Sequence, residues 1–309
     1  MDGKKIFTAV ILAVIVIALF FTVRDAFFWR EQRSAPRDRR GQVGLIYVEG
    51  PISGGRTQGS GLMASRGMDY ILEHLREARL TPGVEAVVIR VNSPGGTASA
   101  TQEIHSEILK IREEGKVVVV SMSDMAASGG YYLAAAADHI MANPGTTTGS
   151  IGVILQHTNL EELLDNIGVE FETIKSGEHK DMGDISRALT PEEREILQSF
   201  SQDVYEQFVE AVASGRNMSR EQVLELADGR IFTGRQALEL GLVDELGNLY
   251  DALDRAAELS GIEDPMVVEF GRLTFWDYFW GSSLQNDNYT RYLMENLSLF
   301  RVIKGVEMQ

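Results

Sequence analysis

The first half of the chain alternates apolar runs with amphipathic stretches. Residues 43–48 read as a strand, 50–61 as a glycine-rich loop, and 68–80 as a helix with Ile71, Leu72 and Leu75 on one side. VEAVVIRV at 84–91 is another buried strand, followed by NSPGG at 92–96. A helix over 98–114 is stopped by Gly115, and the four valines at 117–120 then form a fully buried strand. Strand, helix, strand, helix, strand predicts parallel βαβ units with right-handed crossovers. Further on, 131–137 suits a helix, 140–142 and 151–155 read as short strands around the turn Asn143, Pro144, Gly145, 160–167 as a short helix and 169–174 as a strand. After the loop 175–189, Thr190, Pro191 and Glu193 together open a long helix: an N-cap, a proline at the first position and a capping box. Ser219 with Gln222 and Thr233 with Gln236 are further capping boxes of a helical C-terminal part. No internal repeat is visible, so the chain holds one copy of its unit.

Residues 6–23 carry no charge, and as a helix they span about 27 Å, close to a bilayer core. With no small-residue cleavage site after it, this segment reads as an uncleaved signal anchor. The arginine-rich stretch 24–41 reads as a juxtamembrane linker able to touch anionic headgroups. Two lysines precede the span and six arginines follow it, so a positive-inside count places the body in the cytoplasm.

Among 309 residues, 44% are apolar, which is ordinary for a globular fold, and the net charge of −16 argues against nucleic acid as a partner. There is no cysteine, hence no disulfide framework and no thiolate nucleophile. The five histidines form no close ligand pair, so no metal is expected, and no other cofactor.

Ser128 stands where the valine strand gives way to a helix, and Gly129 and Gly130 permit a tight turn there. Backbone N–H groups at such a helix start suit an oxyanion, and Gly129, directly after the serine, is one donor. Gly95, just past a parallel strand, is a second. The same glycines also fit an ordinary turn that packs a helix onto a sheet. For the base, His139 and His157 lack a recognisable triad context, and Lys180 is the other candidate. A lysine with a pKa near 10.4 costs about 4.6 kcal/mol to hold neutral at pH 7, so desolvation has to lower it; otherwise it is a solvated surface charge.

AASGGYYLA at 126–134, NSPGG at 92–96, TGSIGV at 148–153, KSGEHKD at 175–181 and ADGRIFTGRQALELGLVDELG at 227–247 together resemble the signal peptide peptidase A (SppA) family of membrane-anchored serine peptidases. The resemblance covers about 43–256 and follows the single-copy short form. It implies an α/β fold of crotonase-like, Clp-protease-like stacked βαβ units with a helical C-terminal part, preceded by one transmembrane helix. It also implies Ser128 as nucleophile, Lys180 as general base, Gly95 as an oxyanion donor, and Ser150 as the hydroxyl that orients the lysine. A dome-shaped ring of protomers with shared substrate grooves follows from the same resemblance, as does a catalytic body outside the cytoplasm, against the arginine count. No metal or cofactor is implied.

The expected organisation is a cytoplasmic start and anchor at 1–23, a linker at 24–41, a Ser/Lys peptidase domain at 42–260 and a C-terminal extension at 261–309. The expected function is endoproteolysis of signal-peptide remnants released by signal peptidase. A broader membrane quality-control protease, an acyl-CoA hydratase or isomerase of the crotonase fold, and a non-enzymatic scaffold are the alternatives; Lys180 near Ser128 discriminates against the acyl-CoA enzymes, and a fluorophosphonate label on Ser128 would exclude the scaffold. LTFWDYFW at 273–280 holds two of the three tryptophans and suits core packing, an oligomer contact or a membrane interface.

Overall fold

The computed structural model describes residues 41–55, 57–58 and 65–271. The 6–23 segment, the linker to residue 40 and the aromatic stretch 273–280 lie outside the described residues, among which no helix is long and apolar enough to cross a membrane.

The elements are β1 (Gln42–Glu49), β2 (Thr57–Gln58), β3 (Ser65–Arg66), α1 (Met68–Leu80), β4 (Val84–Ser93), α2 (Ala98–Glu113), β5 (Val117–Ala127), α3 (Gly129–Ala134), β6 (His139–Ala142), β7 (Thr147–Gly149), α4 (Glu161–Ile167), α5 (Pro191–Arg216), α6 (Arg220–Leu226), β8 (Ile231–Thr233), α7 (Gly234–Glu239), β9 (Glu245–Leu246), α8 (Leu249–Ser260) and β10 (Met266–Glu269). The main sheet runs β10, β1, β4, β5, β6, β9; β7 adds to β5 and β8 to β7, while β2 and β3 pair apart from it. Every pairing in the main sheet is parallel except β7 with β8. Strands buried on both faces need apolar residues at every position. Val87, Ile89 and Val91 of β4 accordingly face one core with Val118, Val120 and Met122 of β5. Ala86, Val88 and Val119 face the other, closed by Ala252, Leu253, Ala256 and Ala257 of α8.

All three capping boxes read from the sequence form, at Thr190, Ser219 and Thr233. The expected strands at 151–155 and 169–174 do not: neither has a ladder partner, and Ile154 and Ile174 are 82% and 94% exposed. An apolar run becomes a strand only where an edge is free to receive it, and among the described residues no strand pairs with either stretch; the buried Ile151 is held by its carbonyl, which accepts from Gly229 N–H at 3.1 Å. The whole arm from 154 to 189 packs little on the body; α4 buries none of its residues, and Leu163, Ile167 and Phe171 are also exposed.

Candidate active site

β5 serves two neighbours in succession. Val119 to Met122 pair with β6, and Met125 to Ala127 pair with β7. Between them the strand bulges: on β4 the step from Val91 to Ser93 is matched on β5 by the step from Met122 to Ala126. The backbone groups this frees are taken by side chains. Asn92 Oδ1 accepts from Met125 N–H at 3.3 Å, Asn143 Nδ2 donates to Met122 O at 3.2 Å, and the buried Thr146 hydroxyl donates to Ser123 O at 2.6 Å. Asn92 from NSPGG and Asn143 from the NPG turn thus redirect the end of β5.

Ser128 is what that redirection aims. It caps α3 with φ 53° and ψ −121°, a conformation few side chains adopt, and it is half-buried. Its N–H donates to Gly149 O at 2.8 Å, and its carbonyl accepts from Tyr131 and Tyr132 N–H, both at 2.9 Å. A nucleophile on a sharp strand-to-helix turn exposes its oxygen while its backbone stays fixed. The expected strand-to-helix junction is therefore present, with the strand longer than the valine run because β7 extends its ladder.

The NSPGG turn closes on this serine. A Cβ added to Gly95, whose φ is 98°, would lie 2.6 Å from Gly129 N and 2.9 Å from Ser128 Cβ. One added to Gly96 would lie 1.7 Å from Ile52 O, which accepts from Thr97 N–H. Only glycine fits either position. Gly95 N–H donates to the buried Ser93 Oγ at 3.1 Å. The N–H groups of Gly129 and Gly96 have no acceptor among the described residues, and a Cβ on Gly129 would lie 3.1 Å from Gly96 N. Gly96 thus joins Gly95 and Gly129 as a donor candidate. The dipeptide itself does not say which glycine is free; the Ser93 hydroxyl does.

Beside Ser128 lies a cavity of about 70 Å³. Thr101 and Gln102 of α2, Tyr132 of α3, Val153, and Val204 and Phe208 of α5 contribute to its wall. His105, one turn beyond Gln102, stacks edge-on against Tyr132 at 5.0 Å, and burial, with Arg112 adding to it, pushes its pKa down to about 4.

Ser150 follows Gly149, the acceptor for Ser128 N–H, and has φ 51°; its own N–H donates to Arg230 O at 2.8 Å. His139 faces Glu245 at 3.2 Å, and His157 Nε2 lies 3.3 Å from Arg187 O, so neither histidine has a partner at Ser128. Lys180 stands elsewhere. It sits in a turn of the arm, exposed, and it does not line the Ser128 cavity. Arg187 bridges Asp181, the residue after Lys180, to Glu193 in the first turn of α5. Val204 comes eleven residues later on that helix, about 16 Å along its axis. Within one chain the turn of Lys180 and the cavity of Ser128 therefore occupy different stretches of α5.

In that turn Lys175 faces Asp181 at 2.7 Å, His179 faces Glu192 at 3.6 Å and Arg187 faces two carboxylates, whereas Lys180 faces none among the described residues. Hydrogen bonds from Arg187, then Lys175, hold the Asp181 carboxyl well below the usual range. Arg187, then the Thr190 N–H, push Glu193 down to about 2.

Comparison with known proteins agrees with this architecture. The model of peptidase family S49 matches residues 110–263. The Synechocystis sp. protein named as the protease slr0021 is 44% identical over 256 residues, covering 82% of this chain and 91% of that one. Protease 4 of Salmonella typhi is 38% identical over 228 residues, 74% of this chain but 36% of its own length. The Enterococcus faecium protein named as the signal peptide peptidase SppA is 42% identical over 199 residues, 64% of this chain and 58% of that one. Among solved structures, a serine-to-alanine mutant of the 1510-N membrane-bound stomatin-specific protease superposes with a TM-score of 0.50 over 76% of this chain and 99% of that chain, at 16% identity, which is a likeness of fold. Alignment over nine-tenths of a protease at 44% identity, with the S49 match across the Ser128 turn and the arm, makes the chain a protease that belongs to peptidase family S49.

Proposed function

We propose that this protease is a membrane-anchored serine endopeptidase that degrades signal-peptide remnants after signal peptidase has released them. Ser128 is the nucleophile, Lys180 the general base, and Ser150 the hydroxyl that orients the lysine. The observation that carries this reading is the Ser128 turn: a serine at φ 53° beside two backbone N–H groups, those of Gly96 and Gly129, that have no acceptor among the described residues. In the reaction Ser128 Oγ attacks the scissile carbonyl carbon while its proton passes to Lys180 Nζ. The carbonyl oxygen becomes an oxyanion held by the N–H groups of the glycine turn and Gly129. The C–N bond then breaks, the lysine gives its proton to the leaving amine, and water releases the acyl group by the same steps. A small cavity with aliphatic and aromatic walls suits the apolar side chains of a signal-peptide core.

Lys180 and Ser128 lie apart within one chain, and the arm carrying the lysine exposes Ile154, Phe171 and Ile174. Both features support a ring of protomers in which the arm of one copy covers the groove of the next and completes its site. The 6–23 segment anchors the ring, with the bodies on the extracytoplasmic side of the plasma membrane. The test is turnover of synthetic signal peptides by the full-length chain, its Ser128→Ala and Lys180→Ala forms, and a mixture of the two inactive forms. Each single form is expected to lose turnover by about 10²-fold or more and the mixture to regain a fraction of wild-type turnover. Full activity of Lys180→Ala alone would sink the dyad; an inert mixture would sink its completion between copies.

A further inference from the structure

The arm carries its charges in an arrangement that the proposed chemistry does not yet use. Arg187 spends all three guanidinium nitrogens on two carboxylates and two carbonyls. Nε donates to Asp181 Oδ2 at 3.2 Å, and Nη2 donates to Asp181 Oδ1 at 3.0 Å and to the Asp181 carbonyl at 3.2 Å. Nη1 donates to Glu193 Oε2 at 2.8 Å and to Ala188 O at 3.1 Å, and Nη2 also reaches Glu193 Oε1 at 2.5 Å. Glu193 is 2% exposed, and its Oε2 accepts from Thr190 N–H at 2.9 Å, so the far end of the fork is set in the capped first turn of α5. The near end holds Asp181 by side chain and backbone together. Lys180, directly before it, is bracketed by two tight turns, Lys180 N–H to Gly177 O at 3.2 Å and Met182 N–H to His179 O at 3.1 Å. Lys175 adds a second cation to Asp181 Oδ1 and donates to Glu178 O at 2.8 Å.

α5 also supplies Val204 and Phe208 to the Ser128 cavity. One rigid helix therefore lines the cavity at its middle and carries the Lys180 turn at its start. A flexible surface lysine has many orientations and loses most of them when it must meet one oxygen. A planar guanidinium forked between two carboxylates is the side chain that can fix such a turn, because its donors are arranged for bidentate contacts.

We infer that Arg187 is a positioning residue for catalysis, a clamp that fastens the Lys180 turn to the start of α5 and so presents the amine in one orientation. This rests on the reading of Lys180 as the base. It assigns Arg187 an effect on turnover that acts through Lys180 and through nothing else.

The test is a double-mutant cycle in the full-length chain with an unstructured peptide substrate, reading kcat, KM and the pH profile of kcat. Arg187→Gln is expected to lower kcat on the order of 10- to 100-fold with KM within about twofold, and to change the pH profile. Arg187→Lys keeps the charge without the fork and is expected to regain only part of the loss. In a Lys180→Ala background, Arg187→Gln is expected to cost nothing further. Wild-type kcat and pH profile in Arg187→Gln, while Lys180→Ala loses most of its kcat, overturns the clamp and leaves the dyad standing. Equal losses in both backgrounds also overturn it, because they assign Arg187 to the fold alone. Near wild-type turnover in Lys180→Ala removes the base itself, and the clamp with it. Should Arg187→Gln not fold, Asp181→Asn, which cuts only the near end of the fork, is carried through the same cycle with the same expected pattern.

Discussion

Around Ser128 the backbone is held by buried hydrogen bonds and close-packed atoms, whereas the turn at Lys180 is held by ion pairs near the surface. The first region tolerates nothing larger than hydrogen at Gly95 and Gly96, and it spends Asn92, Asn143 and Thr146 on the freed backbone of one bulge. The second leaves Ile154 and Ile174 in solvent and fixes its shape through Arg187, Asp181 and Glu193. A nucleophile has to be placed to a fraction of an ångström and gains from a rigid interior. A base presented on an arm has to reach a groove, and a charged clamp orders such a turn without burying it.

Replacing Ser128 by glycine separates rigidity from function most sharply. Ser128→Gly is expected to lower turnover by about 10⁴-fold or more and, because glycine accepts φ 53° freely, to raise the unfolding free energy by about 1 kcal/mol. Activity and denaturant titration on one preparation check both halves; a destabilised variant would deny the strain.

In the arm, Lys180→Ala is expected to cost about 10²- to 10⁴-fold in kcat while moving stability by less than about 0.5 kcal/mol, since the side chain is exposed and has no ion-pair partner among the described residues. Steady-state kinetics with thermal unfolding distinguishes this from a structural role. Thr146→Val reverses the balance. It removes a hydroxyl that donates to Ser123 O and accepts from Asn143 N–H, at an expected cost of about 1–3 kcal/mol and a loss of about tenfold in kcat. Unchanged turnover in a folded Thr146→Val would mean that the bulge does not aim the serine.

The two regions should also respond to acid in separate windows. His105 has its folded pKa pushed down to about 4, below an unfolded value near 6.5, so on acidification the unfolded chain binds the proton first. Stability is lost from about pH 6.5 downward and stops falling near pH 4, a loss on the order of 1 to 3 kcal/mol that His105→Leu should abolish. Glu193 and Asp181 are also depressed, but as acids; their contribution is present above the usual carboxylate range and is lost as pH falls below about 4 toward 2. Hydrogen exchange of residues 175–190 should therefore stay slow at pH 5, where global stability has already declined. The smallest effect is on selectivity: Val204→Ala widens the cavity and should shift preference toward a larger apolar side chain by about tenfold or less, read from competing peptides.

The valine run, the ASGG junction and the three capping boxes were legible because each depends on neighbours within a few residues. The bulge in β5 was not, since it exists only once Asn92, Asn143 and Thr146 meet from three separate turns. Residues 151–155 and 169–174 misled for a related reason: an apolar run shows that a stretch wants burial and says nothing about where the covering surface comes from. Gly95 is legible from its place just past a parallel strand, whereas Gly96 is not, because only the Ser93 hydroxyl distinguishes the two N–H groups. The placement of Lys180 beside the start of α5 depends on Arg187 reaching two carboxylates six residues away on either side, a pattern without a short-range signature.

β7 carries a last consequence, and it concerns the order in which the chain is made. The carbonyl that holds Ser128 N–H belongs to Gly149, the last residue of β7, and β7 is flanked on its far side by β8, where Thr147 meets Thr233 and Gly149 meets Ile231. Ser150 N–H likewise waits for Arg230 O. On a ribosome Ser128, the proposed nucleophile, is therefore translated about a hundred residues before β8, the strand that flanks β7, has emerged. A growing chain therefore holds this serine without a finished turn around it until β8 has emerged, by which point β1, β4, β5 and β6 are already available to fold.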